Sequence, residues 1–277
     1  MFKENSRYKL PDENCKVWKY MDFTKFVSLL EKKALWFSRS DTLRASDKFE
    51  GSISLKNIIN LFTKLSIIEE FPEPGYTTKD PFRYLKILSR ANKFDLQFFF
   101  ISSFHINEHE SAAMWKIYTK NDEGIAIQTT CQSLKQSFDQ NDQDEVILGP
   151  IKYIDYDSQR IADDDKFGKF FFKRKSFEHE SEIRAIIYKV NLSDSTQLRE
   201  EVDEFDMPYT IEETVSYLDQ PEKGFYVTVN LDSFIEKIYI APTSPEWFKE
   251  LVISVVKIYG LSEKLVMQSR LDENPIY

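Results

Sequence analysis

Apolar residues follow two different spacings along this chain, and each spacing predicts one kind of element. Phe23, Phe26, Val27 and Leu30 recur every three or four residues, which places them on one face of a helix that Asp22 can cap. Shorter apolar runs without that spacing are typical of strands. The predicted strands cover residues 17–20, 34–38, 98–104, 124–129, 146–156, 182–190, 224–230, 237–241 and 264–269. Further helices are predicted at residues 54–68, 81–93, 111–118, 158–175 and 245–259.

Helices and strands are interspersed without a regular βαβ rhythm. Such an order favours an α+β fold over a doubly wound parallel sheet. We therefore expect a mixed, mostly antiparallel sheet with peripheral helices. No repeat, low-complexity tract or flexible linker divides the chain, so residues 1–277 are expected to form a single domain. The acidic or proline-bearing segments at 69–80, 139–145 and 193–208 are interpreted as surface loops.

The composition is that of a globular protein, with 42% hydrophobic and 30% charged residues. No apolar run reaches the roughly 18 residues that a membrane-spanning helix needs, and the amino terminus lacks the apolar stretch of a signal peptide. The two cysteines, Cys15 and Cys131, supply neither a disulfide framework nor a thiolate metal cluster. We therefore expect a cytoplasmic protein with reduced thiols and no membrane partner.

The net charge of −9 argues against bulk binding of nucleic acid as the main activity. One dense basic cluster remains, formed by Lys169, Lys173, Arg174 and Lys175, and it is the place where a nucleic-acid substrate would make contact. The chain has only 7 glycines, and neither a GxGxxG nor a GxxxxGK[ST] phosphate loop occurs in it.

Several short segments stand in an order that is more informative than any one of them. They are Trp18-Lys19-Tyr20, Leu35-Trp36-Phe37-Ser38, Ser46-Asp47-Lys48-Phe49-Glu50-Gly51, Ser102-Ser103-Phe104, Met114-Trp115-Lys116-Ile117-Tyr118, Asn121-Asp122-Glu123-Gly124, the set Lys175, Phe177, Glu180, Glu182 and Arg184, and Ile238-Tyr239-Ile240-Ala241-Pro242. In this order the chain resembles the bacterial domain-of-unknown-function family 2971 over residues 17–259. It departs from the family pattern at Ser46 and Lys48, where Asn and Pro are usual, and at Ala241, where Gly is commoner.

The opening arrangement also resembles the ADP-ribosyltransferase superfamily at the level of the fold. That fold presents His or Arg, then Ser, Thr or Tyr, then Glu from three core strands around NAD. The resemblance implies an NAD-dependent ADP-ribosyltransferase-like enzyme, of the kind that serves as a bacterial toxin or antiphage effector, with NAD as substrate and an unknown macromolecular acceptor. The alternative is a non-enzymatic module that senses a nucleotide or binds a protein partner.

The acidic stretch 178–184 holds the catalytic candidates. If it forms a strand, Glu178, Glu180, Glu182 and Arg184 share one face. Clustered carboxylates raise one another's pKa, while Arg184 holds one of them ionised. In the transferase hypothesis Glu180 or Glu182 orients a ribose hydroxyl and supports the oxocarbenium-like transition state. The plainer interpretation is a solvated strand face with a Glu182–Arg184 pair.

Five residues are the candidates for cofactor binding. In the transferase hypothesis Lys19 meets a phosphate or ribose oxygen, Tyr20 stacks on nicotinamide, and Ser38 donates a hydrogen bond to the ligand. The alternative makes Tyr20 a core aromatic and Lys19 a surface charge. Asp47 and Glu50 either surround a ligand pocket or cap a helix that starts near residue 52.

The string His105-Ile106-Asn107-Glu108-His109 satisfies the H-x-x-E-H pattern of zinc peptidases. On a helix, His105 and His109 would share a face and could ligate zinc, which gives a metal-dependent hydrolase as the second alternative. The context is that of a strand ending at His105, so no metal is expected.

Overall fold

One nine-stranded sheet organises the part of the chain that the structure describes. The computed structural model describes residues 1–67, 89, 91–119, 122–138, 144–162, 165–190 and 223–275. The strands are β1 (Lys16–Asp22), β2 (Ala34–Arg39), β3 (Phe99–Ile106), β4 (Gly124–Thr130), β5 (Ile147–Pro150), β6 (Lys152–Ile154), β7 (Phe172–Arg174), β8 (Glu182–Tyr188), β9 (Gly224–Thr228), β10 (Lys237–Ile240) and β11 (Val266–Gln268). The α-helices are α1 (Phe23–Lys32), α2 (Leu55–Ile67), α3 (Ala112–Tyr118), α4 (Cys131–Ser137), α5 (Leu231–Phe234) and α6 (Glu246–Ile258).

The sheet is mixed and mostly antiparallel, as the sequence predicts. Its main path runs β11-β10-β4-β1-β3-β2-β9, and β8 pairs with both β3 and β5. Within this sheet only β10 and β11 run parallel. A separate parallel pair, β6 with β7, lies beside it. Helices connect the strands without βαβ repetition, so the predicted α+β class is confirmed.

The strand β3 is the point at which the sheet divides. Its whole length pairs with β8 on one edge. On the other edge it pairs with β1 only at His105 and Ile106, and with β2 only at Phe100 and Ile101. On their other edges, β1 pairs along its whole length with β4, and β2 pairs from Ala34 to Ser38 with β9. The two strands therefore diverge from the middle of β3, and we call the opening between them the fork.

Helix α1 joins the two arms of the fork. It begins behind Asp22, whose side chain accepts the backbone N–H of Lys25 at 2.8 Å, as the sequence predicts. It ends at Lys33, which adopts the left-handed conformation with φ of 46°. The buried face carries Phe26, Leu29 and Leu30 into the main core. Burying each such side chain contributes about 1.5–3 kcal/mol.

Two faces of the sheet carry separate cores. Alternation along β8 sends Ile183, Ala185 and Ile187 into the main core, while Glu182 and Arg184 point to the opposite face. A smaller cluster on that opposite face includes Trp18, Tyr20, Met114 and Trp115. Polar residues of β8 and aromatic residues of β1 thus share the face onto which α3 packs.

Several sequence predictions need correction. The predicted helix at 158–175 is wrong: a 3₁₀ turn at Gly168–Phe171, which buries the neighbouring rings of Phe170 and Phe171, leads into β7. The predicted strand at 146–156 is broken into β5 and β6. Most of the predicted helix at 81–93, together with the predicted loops at 69–80 and 193–208, lies outside the described residues.

In the portion of the chain that is described, no helix combines the length and apolar character that crossing a membrane requires.

Candidate functional site

The fork opens into a cleft of about 650 Å³. Cavities of this size are typical of sites for small molecules and cofactors. Its walls come from β1 and α3 on one side and from β2 and β9 on the other, with β3 between them and β8 on the far edge of β3. Of the predicted site residues, Lys19, Tyr20, Ser38, Glu50, Glu180, Glu182 and Arg184 line the cleft. The structure therefore brings together residues that lie up to 165 positions apart in the sequence.

Lys19 occupies the point at which β1 leaves β3. Its Nζ donates to Ser102 Oγ at 2.9 Å and to the backbone carbonyl of Ser103 at 2.8 Å. If β1 stayed paired with β3 here, the carbonyl of Ser103 would accept a backbone hydrogen bond from the neighbouring strand. The Lys19 amine replaces that missing backbone donor. Burial lowers the pKa of Lys19 to about 8. Two smaller effects act on the same pKa: Glu182 raises it and Lys25 lowers it. Lys19 is therefore not the surface charge of the alternative interpretation.

Tyr20 forms a buried wall of the cleft. Its hydroxyl accepts the backbone N–H of Ser111 at 2.8 Å, which fixes the start of α3. Its ring lies edge-on to Trp115, with centroids 5.0 Å apart, and 6.1 Å from the ring of His105. Burial raises the pKa of the Tyr20 hydroxyl, so this group stays protonated. Tyr20 is thus both a core aromatic and a cleft residue, which joins the two interpretations of the sequence.

Exposed aromatic residues line both sides of the cleft. Trp36 on β2 and Tyr226 on β9 are cross-strand partners with ring centroids 4.9 Å apart, and they are 40% and 42% exposed. Opposite them in the wall formed by α3, Tyr118 is 43% exposed. Trp36 Nε1 donates to Ser38 Oγ at 3.1 Å. Large aromatic surfaces left open inside a cleft are suited to stacking against planar rings.

Arg184 is the centre of a buried ion cluster. Its guanidinium donates to both carboxylate oxygens of Glu50, at 2.6 and 2.8 Å, to Glu182 at 2.6 Å and to the carbonyl of Phe170 at 2.7 Å. Although burial opposes the charge, Glu182 and Glu50 raise the pKa of Arg184 further above its usual range. The bidentate geometry fixes the planes of both partners. Arg184 therefore positions Glu50 and Glu182 and holds the floor of the cleft rigid.

Lys173 connects this cluster to Glu180. Its Nζ lies 2.9 Å from Glu182 Oε2 and also donates to Glu180. Burial raises the pKa of Glu182, but Arg184 and Lys173 together lower it to about 2. For Glu180, burial outweighs Lys173 and raises the pKa of the carboxyl. Two carboxylates two residues apart thus differ in character: Glu182 is locked as an anion, whereas Glu180 is the more easily protonated one.

The expected strand face through residues 178–184 is corrected by the structure. Residues Lys175–Glu180 form a 3₁₀ turn, Ser181 adopts a left-handed conformation with φ of 38°, and β8 begins only at Glu182. Glu178 is exposed and lies outside the cluster, so four residues do not share one face. Glu180 still reaches the cleft, because the turn at Ser181 folds it back towards Lys173.

Asp47 and Glu50 have different surroundings. Glu50 lines the cleft through its pair with Arg184, whereas Asp47 accepts a hydrogen bond from Arg174 at 2.6 Å and the N–H of Phe49 at 3.0 Å. Asp47 does not line the cleft. The capping interpretation is wrong for both residues, because α2 begins at Leu55.

The basic cluster predicted from the sequence is largely neutralised. Lys169 donates to Asp95 and Asn92, Lys173 pairs with Glu180 and Glu182, and Arg174 pairs with Asp47. Three of its four members therefore form internal contacts within the described residues rather than a surface patch for phosphates.

The H-x-x-E-H string does not form the helix that a zinc site of this type needs. His105 lies in β3, with Nδ1 2.6 Å from the carbonyl oxygen of Glu180, and His109 is exposed beyond the end of that strand. Burial lowers the pKa of His105, although the carbonyl contact acts in the opposite direction. The premise of the hydrolase alternative is therefore incorrect.

Sequence reasoning missed Lys173, Tyr226 and Trp36 as members of the site. A usable signal existed for Trp36: Leu35 and Phe37 alternate into the core, so the residue between them must face the other way. No comparable signal marks Lys173 or Tyr226. Their place in the cleft depends on the packing of β7 and on the pairing of β2 with β9.

Comparisons of the chain with models of protein families, with curated proteins and with solved structures find no match. The resemblance to family 2971 and to ADP-ribosyltransferases stays a prediction from the motifs.

Proposed function

We propose that the chain is an NAD-cleaving enzyme of the ADP-ribosyltransferase type, with its active site in the fork between β1 and β2. The observation that carries this proposal is the lining of the cleft. The exposed rings of Trp36, Tyr226 and Tyr118 line it together with the amine of Lys19 and the carboxyl group of Glu180. Such a site fits an elongated ligand with two planar rings joined through sugars and phosphates. NAD has this chemistry.

Glu180 is the carboxylate assigned to the reaction. It lines the cleft and, among the residues that the structure describes, pairs with Lys173 alone, whereas Glu182 is already bound by Lys173 and Arg184. In the proposed step, the bond between nicotinamide nitrogen and the ribose anomeric carbon breaks, its electron pair leaves with nicotinamide, and positive charge develops on the ribose. A nucleophile of the acceptor, or water, then forms the new bond to the anomeric carbon and loses its proton. An anionic Glu180 that accepts a hydrogen bond from a ribose hydroxyl stabilises that charge as it forms. Lys19 contacts a phosphate or ribose oxygen of the same ligand.

The experiment that tests the proposal is incubation of the pure full-length chain with NAD, with nicotinamide release followed by chromatography. We expect release in the wild type and a loss of about a hundredfold or more in Glu180→Gln, which keeps the shape of the side chain but not its charge. Glu178→Gln is the matched control, because Glu178 is an exposed neighbour outside the cleft. Equal release from all three proteins would remove Glu180 from the mechanism. No release at millimolar NAD, either from the pure chain or after addition of cell extract as a source of acceptor, would overturn the enzyme proposal.

A second candidate function is a nucleotide-sensing or protein-interaction module that uses the same cleft without turnover. The observation in its favour is that Glu50, Glu182 and Arg184 satisfy one another's charges inside the protein. Side chains that are ion-paired to one another in this way shape the cleft and do not take part in a reaction. Stabilisation of the fold by NAD in a thermal melt, with no nicotinamide released in the presence of cell extract as a source of macromolecular acceptor, would favour this module over the transferase.

A further inference from the structure

The hydrogen bonds of Lys19 match those of a neutral amine. A neutral amine has two N–H donors and one lone pair, whereas an ammonium group has three donors and no lone pair. Ser102 Oγ and the carbonyl of Ser103 accept two hydrogen bonds from Nζ. In the described part of the chain, the remaining contact of Nζ is the ring of Phe104, whose centroid is 4.6 Å away. The neutral form therefore has a partner for each of its two N–H donors and keeps its lone pair, whereas the third N–H of the ammonium form has only the ring face of Phe104 among these contacts.

The charges around Lys19 do not hold it as a cation. Among the described residues, no carboxylate lies within ion-pairing distance of its Nζ. Glu182, the carboxylate that acts on it through space, is already paired with Lys173 and Arg184, and Lys25 adds a charge of the same sign. At pH 7.5 an ordinary lysine is neutral in about one molecule in a thousand, whereas a pKa of about 8 gives about one in four.

A ligand can reach this amine, because Lys19 lines the cleft. The exposed rings of Trp36 and Tyr118 line the same cavity and offer flat surfaces to a ring that carries a reactive group. Desolvated lysines in such pockets are nucleophiles towards carbonyl compounds. The geometry combines an amine with a lone pair, a cavity beside it and surfaces for a planar ligand.

We propose that Lys19 is a covalent capture site for aldehydes, and that its Nζ condenses with the carbonyl carbon of a ring-bearing aldehyde in the cleft to form an imine. The lone pair of Nζ attacks the carbonyl carbon, and a carbon–nitrogen bond forms as the carbonyl π bond opens. Both N–H protons then leave with the carbonyl oxygen as one water molecule, and the second carbon–nitrogen bond closes. No oxidant or reductant is consumed. The inference does not require NAD to be the natural ligand.

The test uses two aldehyde probes on the full-length chain: pyridoxal 5′-phosphate, which carries a planar ring, and acetaldehyde, which does not. Each is incubated at pH 7.5, the imine is reduced with borohydride, and the modified lysines are identified by peptide mass spectrometry. Lys25 is the internal reference, because it lines the same cleft but is 72% exposed and paired with Asp22. We expect Lys19 to be modified on the order of a hundredfold faster than Lys25, whose ammonium group is held in an ion pair with a carboxylate.

A second measurement separates reactivity from position. The rate at Lys19 is expected to rise with pH and to level off above about pH 8. Lys19→Arg preserves hydrogen-bond donors at this point but cannot form an imine, so it should leave only the background on exposed lysines. Modification spread over exposed lysines, with Lys19 no faster than Lys25 for either probe, overturns the proposal. Because neither probe contains NAD, this result and the nicotinamide-release assay fail independently.

Discussion

Replacement of Arg184 by Met tests whether the buried ion cluster holds the cleft together. Arg184 is 1% exposed and donates to Glu50 through two bonds, to Glu182 and to the carbonyl of Phe170. Methionine fills much of the same volume but leaves Glu50 without its ion-pair partner, while Glu182 keeps Lys173 at 2.9 Å. Removing one member of a buried ion pair costs about 3–5 kcal/mol, because the other charge stays buried. We expect that loss in the free energy of unfolding.

The assay is urea unfolding followed by circular dichroism and tryptophan fluorescence at neutral pH. The double variant Glu50→Gln/Arg184→Met should be destabilised by less than the sum of its two single variants, since the two groups contact each other. The control is Lys3→Met, which removes a pair with Glu145 in which the two side chains are 57% and 71% exposed, and which should cost less than about 1 kcal/mol. A cost for Arg184→Met as small as that of the control would refute the structural role of the cluster.

Three further predictions concern single residues. Ion pairs lower the pKa of Glu182 to about 2 from 4.5, so its contribution to stability is complete above about pH 4.5 and disappears as the pH falls through 2. The free energy of unfolding in urea should therefore depend less on pH across this range in Glu182→Gln than in the wild type, and an equal dependence in both would contradict the assignment. If a phosphate of NAD contacts Lys19, the affinity for NAD measured by calorimetry should fall by about tenfold per pH unit above pH 8 in the wild type. It should not fall in Lys19→Arg, because the arginine side chain stays charged, and parallel pH profiles of the two proteins would exclude that contact. Gly224 has φ of 146°, and an added Cβ would lie 2.1 Å from the carbonyl of Phe37. Gly224→Ala should therefore destabilise the protein more than Gly260→Ala, whose added Cβ meets no atom within 4 Å. Equal melting temperatures of the two variants would count against the pairing of β2 with β9.

Elements with their own local signals were predictable from the sequence. The apolar spacing behind Asp22 gave α1 together with its cap, and the short apolar runs gave β2, β3 and β4 to within two residues. These elements bury one face or one side in a regular period, so composition and spacing carry the information.

The acidic stretch 178–184 shows where such reasoning ends. Alternation alone allows a strand through all seven residues, but the left-handed conformation of Ser181 ends the 3₁₀ turn and starts β8 one residue later. On either side of Ser181, Glu180 and Glu182 both contact Lys173, a residue seven and nine positions away. The predicted site residues were mostly placed in the cleft, but their division into locked and accessible carboxylates required the structure.

The fork itself has no local signature in the sequence. It lies where β1 and β2 pair with the two ends of the same edge of β3, while their other edges pair with β4 and β9. Strand register over such distances is set by tertiary packing. The position of Trp36 beside Tyr226, and the use of Lys19 to replace a missing ladder bond, follow from that register and not from the neighbours of each residue.

The most direct test of the account is a crystal structure of the Glu180→Gln variant with NAD, since this variant is expected to bind the ligand without cleaving it. We expect NAD in the fork between β1 and β2, with one ring against Trp36 or Tyr118. An oxygen of NAD should lie within hydrogen-bonding distance of Lys19 Nζ, and a ribose hydroxyl should lie beside residue 180. NAD bound elsewhere, or an empty fork at millimolar NAD, would contradict the proposal.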